Sequence, residues 1–299
     1  MKNNLGLIYA FSAYIWWGFI PVFWKQLDHI SSAEIVMHRM VWSCVIVLVM
    51  IMFMRQWREF SALFFQPKVM LRLLIASALM TINWGVFIWA VNSGYLVETS
   101  MGYFINPLIN VLFGVLFFAE RLRKGQMFAL SIAFLGVLYL VLTFGAFPWI
   151  SFTLAITFAL YSVTKKSITV PAAHGMGLET LFFIVPAIAY LIYIEANGSG
   201  QFTASAFNAS MLVLGGLFTL IPLLLFAAAA KKVTMTVLGM TQYIGPSLQL
   251  LIGVFIYNEP FGSERMIAFG LIWLALAVYS ADQIRYRRRS RKIKKEIIA

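Results

Sequence analysis

Charge is scarce in this chain. Asp, Glu, Lys and Arg make up 11% of its 299 residues, against about 25% in soluble globular domains. With 62% of residues hydrophobic and a mean hydropathy of +0.86, a soluble fold is excluded. Cysteine is scarcer still: Cys44 stands alone in an apolar run and cannot form an intrachain disulfide. Three histidines and one cysteine give a metal site little to draw on, and no GxSxG, HExxH or GxxxxGK[ST] motif occurs. An enzyme is therefore not expected, no cofactor is implied, and self-contained ATP drive is excluded. Acidic residues are few as well, 11 against 23 basic ones, for a net charge of +12. Eight of the basic residues lie beyond position 284, in RYRRRSRKIKK. Such a juxtamembrane cluster suits anionic lipids of the cytoplasmic leaflet rather than nucleic acid.

What the chain does have is apolar runs long enough to cross a bilayer, which takes about 20 residues each. They lie near 5–24, 33–54, 70–91, 96–119 and 126–144 in the first half and near 149–168, 177–195, 209–230, 234–257 and 266–284 in the second. The first run outlasts the roughly 7–15-residue core of a secretory signal, and its end, PVFWKQLD, offers no small-residue cleavage site, so it reads as a span. Continuous apolarity without period-two alternation favours helices over a barrel. Lys and Arg then test the count, because positive loops stay cytoplasmic. With the N-terminus inside, twenty basic residues fall on the cytoplasmic side and three (Lys25, Arg39 and Arg265) on the other. The expected fold is an all-α polytopic membrane protein of ten transmembrane helices with both termini cytoplasmic, in a cell (plasma) membrane.

An internal repeat accompanies the ten runs. At a shift of 139 residues INPLINVLFGVLFFAE (105–120) aligns with IGPSLQLLIGVFIYNE (244–259), so that Ile105, Pro107, Gly114 and Glu120 recur as Ile244, Pro246, Gly253 and Glu259. Each half holds five spans, an odd number, so the halves are inverted: residues 1–145 form one five-helix repeat, 146–284 the second, and 285–299 a basic cytoplasmic tail. Inverted repeats are a physical route to alternating access, since two halves of equal shape can exchange conformations around a shared site. The expected function is secondary transport of small organic molecules; the alternatives are a channel or a non-transporting assembly subunit.

Pro in the middle and Glu at the end of the fourth span of each half resemble the EamA family of the drug/metabolite transporter superfamily. The strings HRMVWS (38–43), NWGVFIWAVN (83–92) and SMGYFINPLINVLFGVLFFAERLR (100–123) are similar to its RarD-like subgroup. Members of that subgroup are described as chloramphenicol-sensitivity proteins and permeases. The resemblance covers essentially the whole chain; it implies the fold, a bacterial cytoplasmic membrane and a transport role, and leaves the cargo open.

Polar groups at membrane depth usually face the bundle interior, so their helical phase locates a cavity. Thr99, Tyr103, Asn106 and Asn110 share one face of the fourth span, and the repeat shift carries Tyr103 to Gln242 and Asn110 to Gln249. Two readings stand for these amides, cavity lining or bonding between helices. The first and sixth spans add Trp16 and Tyr161, the third Asn83 and Trp84, as candidate substrate contacts. Trp24 and Trp149 read as interfacial belt anchors. Near the start of the second span Glu34 and His38 can touch along the helix, while Arg39 points to another face. They are candidates for an outer gate or, at Arg39, an anchor for an anionic group, or else residues of the outer surface. Glu98 is a candidate for proton coupling or for complementing the dipole of its helix.

Overall fold

The computed structural model describes residues 2–92, 95–143, 147–257 and 262–298. The side chains of Asn92, Glu98, Arg265 and the tail beyond 286, and Glu259 altogether, lie outside the described residues. Helices account for nearly all the rest. They are α1 (Lys2–Trp24), α2 (Ser32–Phe53), α3 (Trp57–Ala62), α4 (Pro67–Asn92), α5 (Leu96–Phe118), α6 (Lys124–Thr143) and α7 (Trp149–Ser167). The chain continues through α8 (Ala172–Leu181), α9 (Ile184–Ala196), α10 (Ala206–Ala230), α11 (Met235–Gln242), α12 (Ile244–Phe255) and α13 (Ser263–Ile298). Among the described residues seven helices are long and apolar enough to cross a membrane, and α8 with α9, bent by 52° at their junction, would make an eighth span.

Local chemistry explains the helix starts. Ser31, Ser205 and Thr234 cap α2, α10 and α11, each side-chain oxygen accepting the backbone N–H three residues on. Pro67 opens α4, at the position where a missing N–H costs nothing. Pro21, Pro107 and Pro222 stand inside α1, α5 and α10 and free one backbone carbonyl apiece. Of these, Pro21 lies beside the cavity described below.

The surface is the reverse of a soluble protein's. On α1 the side chains of Ile8, Phe11, Ile15, Phe19 and Val22 are exposed at helical spacing, while Ala10, Ala13, Tyr14 and Gly18 are buried on the opposite face. A bilayer supplies the solvent such a face requires. Inside, one core joins Tyr14, Tyr161, Phe226 and Leu238, from α1, α7, α10 and α11, and a second joins Phe104, Ala133, Tyr243 and Ile272. Where helices cross closely a glycine permits it. A side-chain carbon at Gly216 of α10 would collide with Trp42 Cβ of α2, and one at Gly239 would stand 2.6 Å from the Pro107 carbonyl oxygen.

Candidate functional site

A cavity of about 860 Å³ lies among α1, α2, α4, α5, α7, α10, α11 and α12. Its walls use the last half of α1 and α4, the first half of α2, α5 and α7, and α12 with Tyr257 just past its end. Its mouth is marked by the α1–α2 connection, where Lys25 and Asp28 form an exposed ion pair at 3.5 Å. The volume falls in the range of about 300–1,000 Å³ that accommodates small organic ligands.

Amides form the seam of the cavity. Asn106 Nδ2 donates to the Ala155 carbonyl at 2.6 Å, Asn110 Nδ2 to Asn106 Oδ1 at 2.9 Å, and Asn110 Nδ2 also to Gln242 Oε1 at 2.9 Å. This chain ties α7, α5 and α11 together. Asn83 Nδ2 donates to the Leu154 carbonyl and to Thr157 Oγ1, both at 2.9 Å, and Gln249 Nε2 to the Trp17 carbonyl at 2.9 Å. Asn83, Asn106, Gln242 and Gln249 thus hold helices together and line the cavity at once. The two alternatives left by the sequence are not exclusive, because an amide has both donors and an acceptor to share.

Among the described residues Arg39 is the one charged group that the bundle carries into the cavity beyond its mouth. Its Nε donates to Thr219 Oγ1 at 2.8 Å, and its guanidinium carbon lies 4.8 Å from the Trp24 ring centroid and 5.1 Å from that of Trp84. Two indole faces therefore hold the cation by their negative quadrupoles. Trp24, a belt anchor by its position in the sequence, lines the cavity, because its ring meets Arg39 of α2 and packs beside Gly215 of α10.

The other predicted site residues take other places. Tyr103 and Trp84 line the cavity; Trp16, Asn110 and Tyr161 do not. The Trp16 indole donates to the Phe218 carbonyl at 3.1 Å. Glu34 is buried, accepts the Gln201 N–H at 2.7 Å and lies 3.9 Å from His38 Nε2, and the His38 ring stacks on Phe202. Both residues thus turn towards the α9–α10 connection, and among the described residues Arg39 forms no ion pair with Glu34 or any other carboxylate. Glu98 lies outside the described side chains.

At the far end of the bundle the helices close, through residues of which the sequence reading made only Tyr161 a site candidate. Lys165 Nζ meets Glu179 Oε1 at 2.7 Å with both side chains buried, and the Tyr161 hydroxyl lies 3.3 Å from Glu179 Oε2. Lys166 and Lys231 reach the carbonyls of Val233 and Val170. Just past α10, burial and then the neighbouring Lys165 pull the Lys231 amine down to about 8. Glu120 accepts the N–H groups of Met235 and Thr236 at 2.6 and 3.0 Å and the Thr236 hydroxyl at 2.8 Å, capping α11 from the opposite half of the chain. A lone glutamate within GLETLFFIV was the available signal for Glu179; Lys165, next to Lys166, reads as a loop charge until α7 is seen to run past it.

Comparison with known proteins agrees with this architecture. The EamA-like transporter family matches residues 4–142. An uncharacterized transporter of Bacillus subtilis, YojE, is 40% identical over 97% of this chain and 98% of its own length. Protein RarD of Escherichia coli is 38% identical over 97% and 99%, and a chloramphenicol-sensitive protein RarD of Pseudomonas aeruginosa 30% over 96% and 97%. One solved crystal structure, only 14% identical, superposes on 95% of the chain with a TM-score of 0.71 and shares its fold. With near-complete coverage at such identity, and with its apolar helices, the chain belongs to the EamA-like transporter family and is a multi-pass protein of the plasma membrane.

Proposed function

We propose that this protein is a secondary carrier that moves small organic molecules across the membrane by alternating access. Its ten spans would form two inverted five-helix repeats, residues 1–145 and 146–284, with both termini and the basic tail of 285–299 on the cytoplasmic side against anionic lipids. The cavity carries the reading: it lies at the seam of the two halves, open at one end and sealed at the other. With α7 and the α11–α12 pair counted as spans, its mouth falls on the outer face and its seal on the cytoplasmic face.

Helix starts support the repeat. Those of α4, α5 and α6, at Pro67, Leu96 and Lys124, recur 139 residues later as those of α10, α11 and α13, at Ala206, Met235 and Ser263. The packing exchanges in the same way. Helix α5 packs on α7 as α11 and α12 pack on α1, α4 on α7 as α10 on α1, α2 on α10 as α8 on α4, and α6 on its own mate α13. Two halves with interchangeable contacts can trade conformations, which is what alternating access requires. In that exchange Glu259, the repeat mate of Glu120, would cap the start of α5 when the outer end closes.

Reconstitution in liposomes tests the reading. A carrier gives saturable uptake that is accelerated by the same cargo on the opposite side. Flux that stays linear with concentration, without acceleration, would leave a channel in its place.

A further inference from the structure

We propose that the cavity is built for an organic monoanion, a carboxylate carried on an apolar, ring-bearing body. The inference rests on the carrier reading only in assuming that the cavity closes around its cargo. Three charged side chains line the cavity among the described residues, and at the mouth Lys25 and Asp28 neutralise one another at 3.5 Å. That leaves Arg39 as the single uncompensated charge among them. Its Nε–H is taken by Thr219. The two terminal amino groups find no protein acceptor among the described residues, although Arg39 sits among amides and hydroxyls that could supply one.

The surroundings fix how the guanidinium is presented. Trp24 and Trp84 hold its carbon at 4.8 and 5.1 Å and supply no acceptor. A planar fork with two free amino groups matches the two oxygens of a carboxylate, a geometry that an ammonium does not offer. Deeper in, Trp17, Phe158 and Leu223 make an apolar wall for the rest of the molecule.

Closure then acts as the selector. While the cavity is open, water solvates the free side of Arg39. When the cavity shuts, that water leaves, and a cation without a partner in a low-dielectric site is strongly disfavoured. A carboxylate on the cargo restores the balance; a neutral cargo does not, and a cationic one adds repulsion. One positive charge matches one negative charge, so the cargo is a monoanion.

A matched series of three probes tests the proposal on the purified full-length protein: 3-phenylpropionate, 3-phenylpropionamide and 3-phenylpropylamine share ring and chain and differ in charge. Ligand-dependent thermal stabilisation reads binding without reference to flux. The expected half-saturating concentration is at least tenfold lower for the carboxylate than for the amide, with the amine weakest. Arg39→Gln reduces the carboxylate preference to within threefold, and Arg39→Lys recovers only part of it. The wild-type series decides even if a variant fails to fold. An amide or amine binding as well as the carboxylate, no response to the carboxylate, or a preference that survives in Arg39→Gln overturns the proposal. Saturable, accelerated liposome flux of a neutral cargo alongside any of those outcomes would sink the anion site and keep the carrier. An intact charge preference with linear flux would do the reverse.

Discussion

Among single residues, the buried pair at the sealed end has the most to lose. Lys165 and Glu179 are both buried and 2.7 Å apart, so each is the counterion of the other. Glu179→Gln leaves an uncompensated cation and is expected to lower unfolding free energy by about 3–5 kcal/mol, read by denaturant titration in detergent. Replacing both, Lys165→Met with Glu179→Leu, is expected to cost far less, because no charge is then stranded. A double variant as damaged as the single one would mean that the pair does more than neutralise itself. At this scale the sequence was informative where polarity is rare. Asn83, Asn106, Gln242 and Gln249 were legible as inward-facing because an amide in hydrocarbon must find a partner. Tyr161 was read as a candidate substrate contact and not as a neighbour of Glu179, since sequence periodicity says which face a residue is on and nothing about which helix meets it.

Elements were legible in position and much less so in orientation. The apolar runs coincide with helices, yet the faces of α1 could not be read from them. Its lipid-facing Ile8, Phe11 and Ile15 are as apolar as its buried Ala10, Ala13 and Tyr14, so no moment distinguishes bilayer from core. What distinguishes Ala10 and Ala13 is size, since small residues gather where backbones approach, whereas the bulky Tyr14 gives no such signal. Nor do the apolar runs announce the bend between α8 and α9 or the division of α11 from α12 at Tyr243. The crossing of α10 and α2 offers the test at this scale. Gly216→Val would drive its side chain into Trp42 and the Ser43 backbone, at an expected cost of about 1–3 kcal/mol or more in unfolding free energy. Gly85→Ala, on α4 with nothing within 4 Å, is the control and is expected to be neutral or slightly stabilising. Equal effects at the two positions would mean that the α2–α10 crossing is not close-packed.

For the whole molecule, the proposed transport requires one cavity to be reached from both sides by two halves of opposite orientation. The repeat that the proposal assumes was read from Pro107, Glu120 and their mates at 139 residues' distance. The cavity's asymmetry was not, because a repeat specifies two equivalent ends and cannot say which is open. Impermeant thiol labelling of single cysteines, in a Cys44→Ser background and in sealed vesicles of both orientations, tests this most directly. Lys124→Cys is expected to label only from the cytoplasmic face, Ser263→Cys only from the outer face, and Met80→Cys, inside the cavity, from both. Labelling of the Lys124 and Ser263 positions from the same face, or a Met80 position that never reacts from the cytoplasm, would contradict the account.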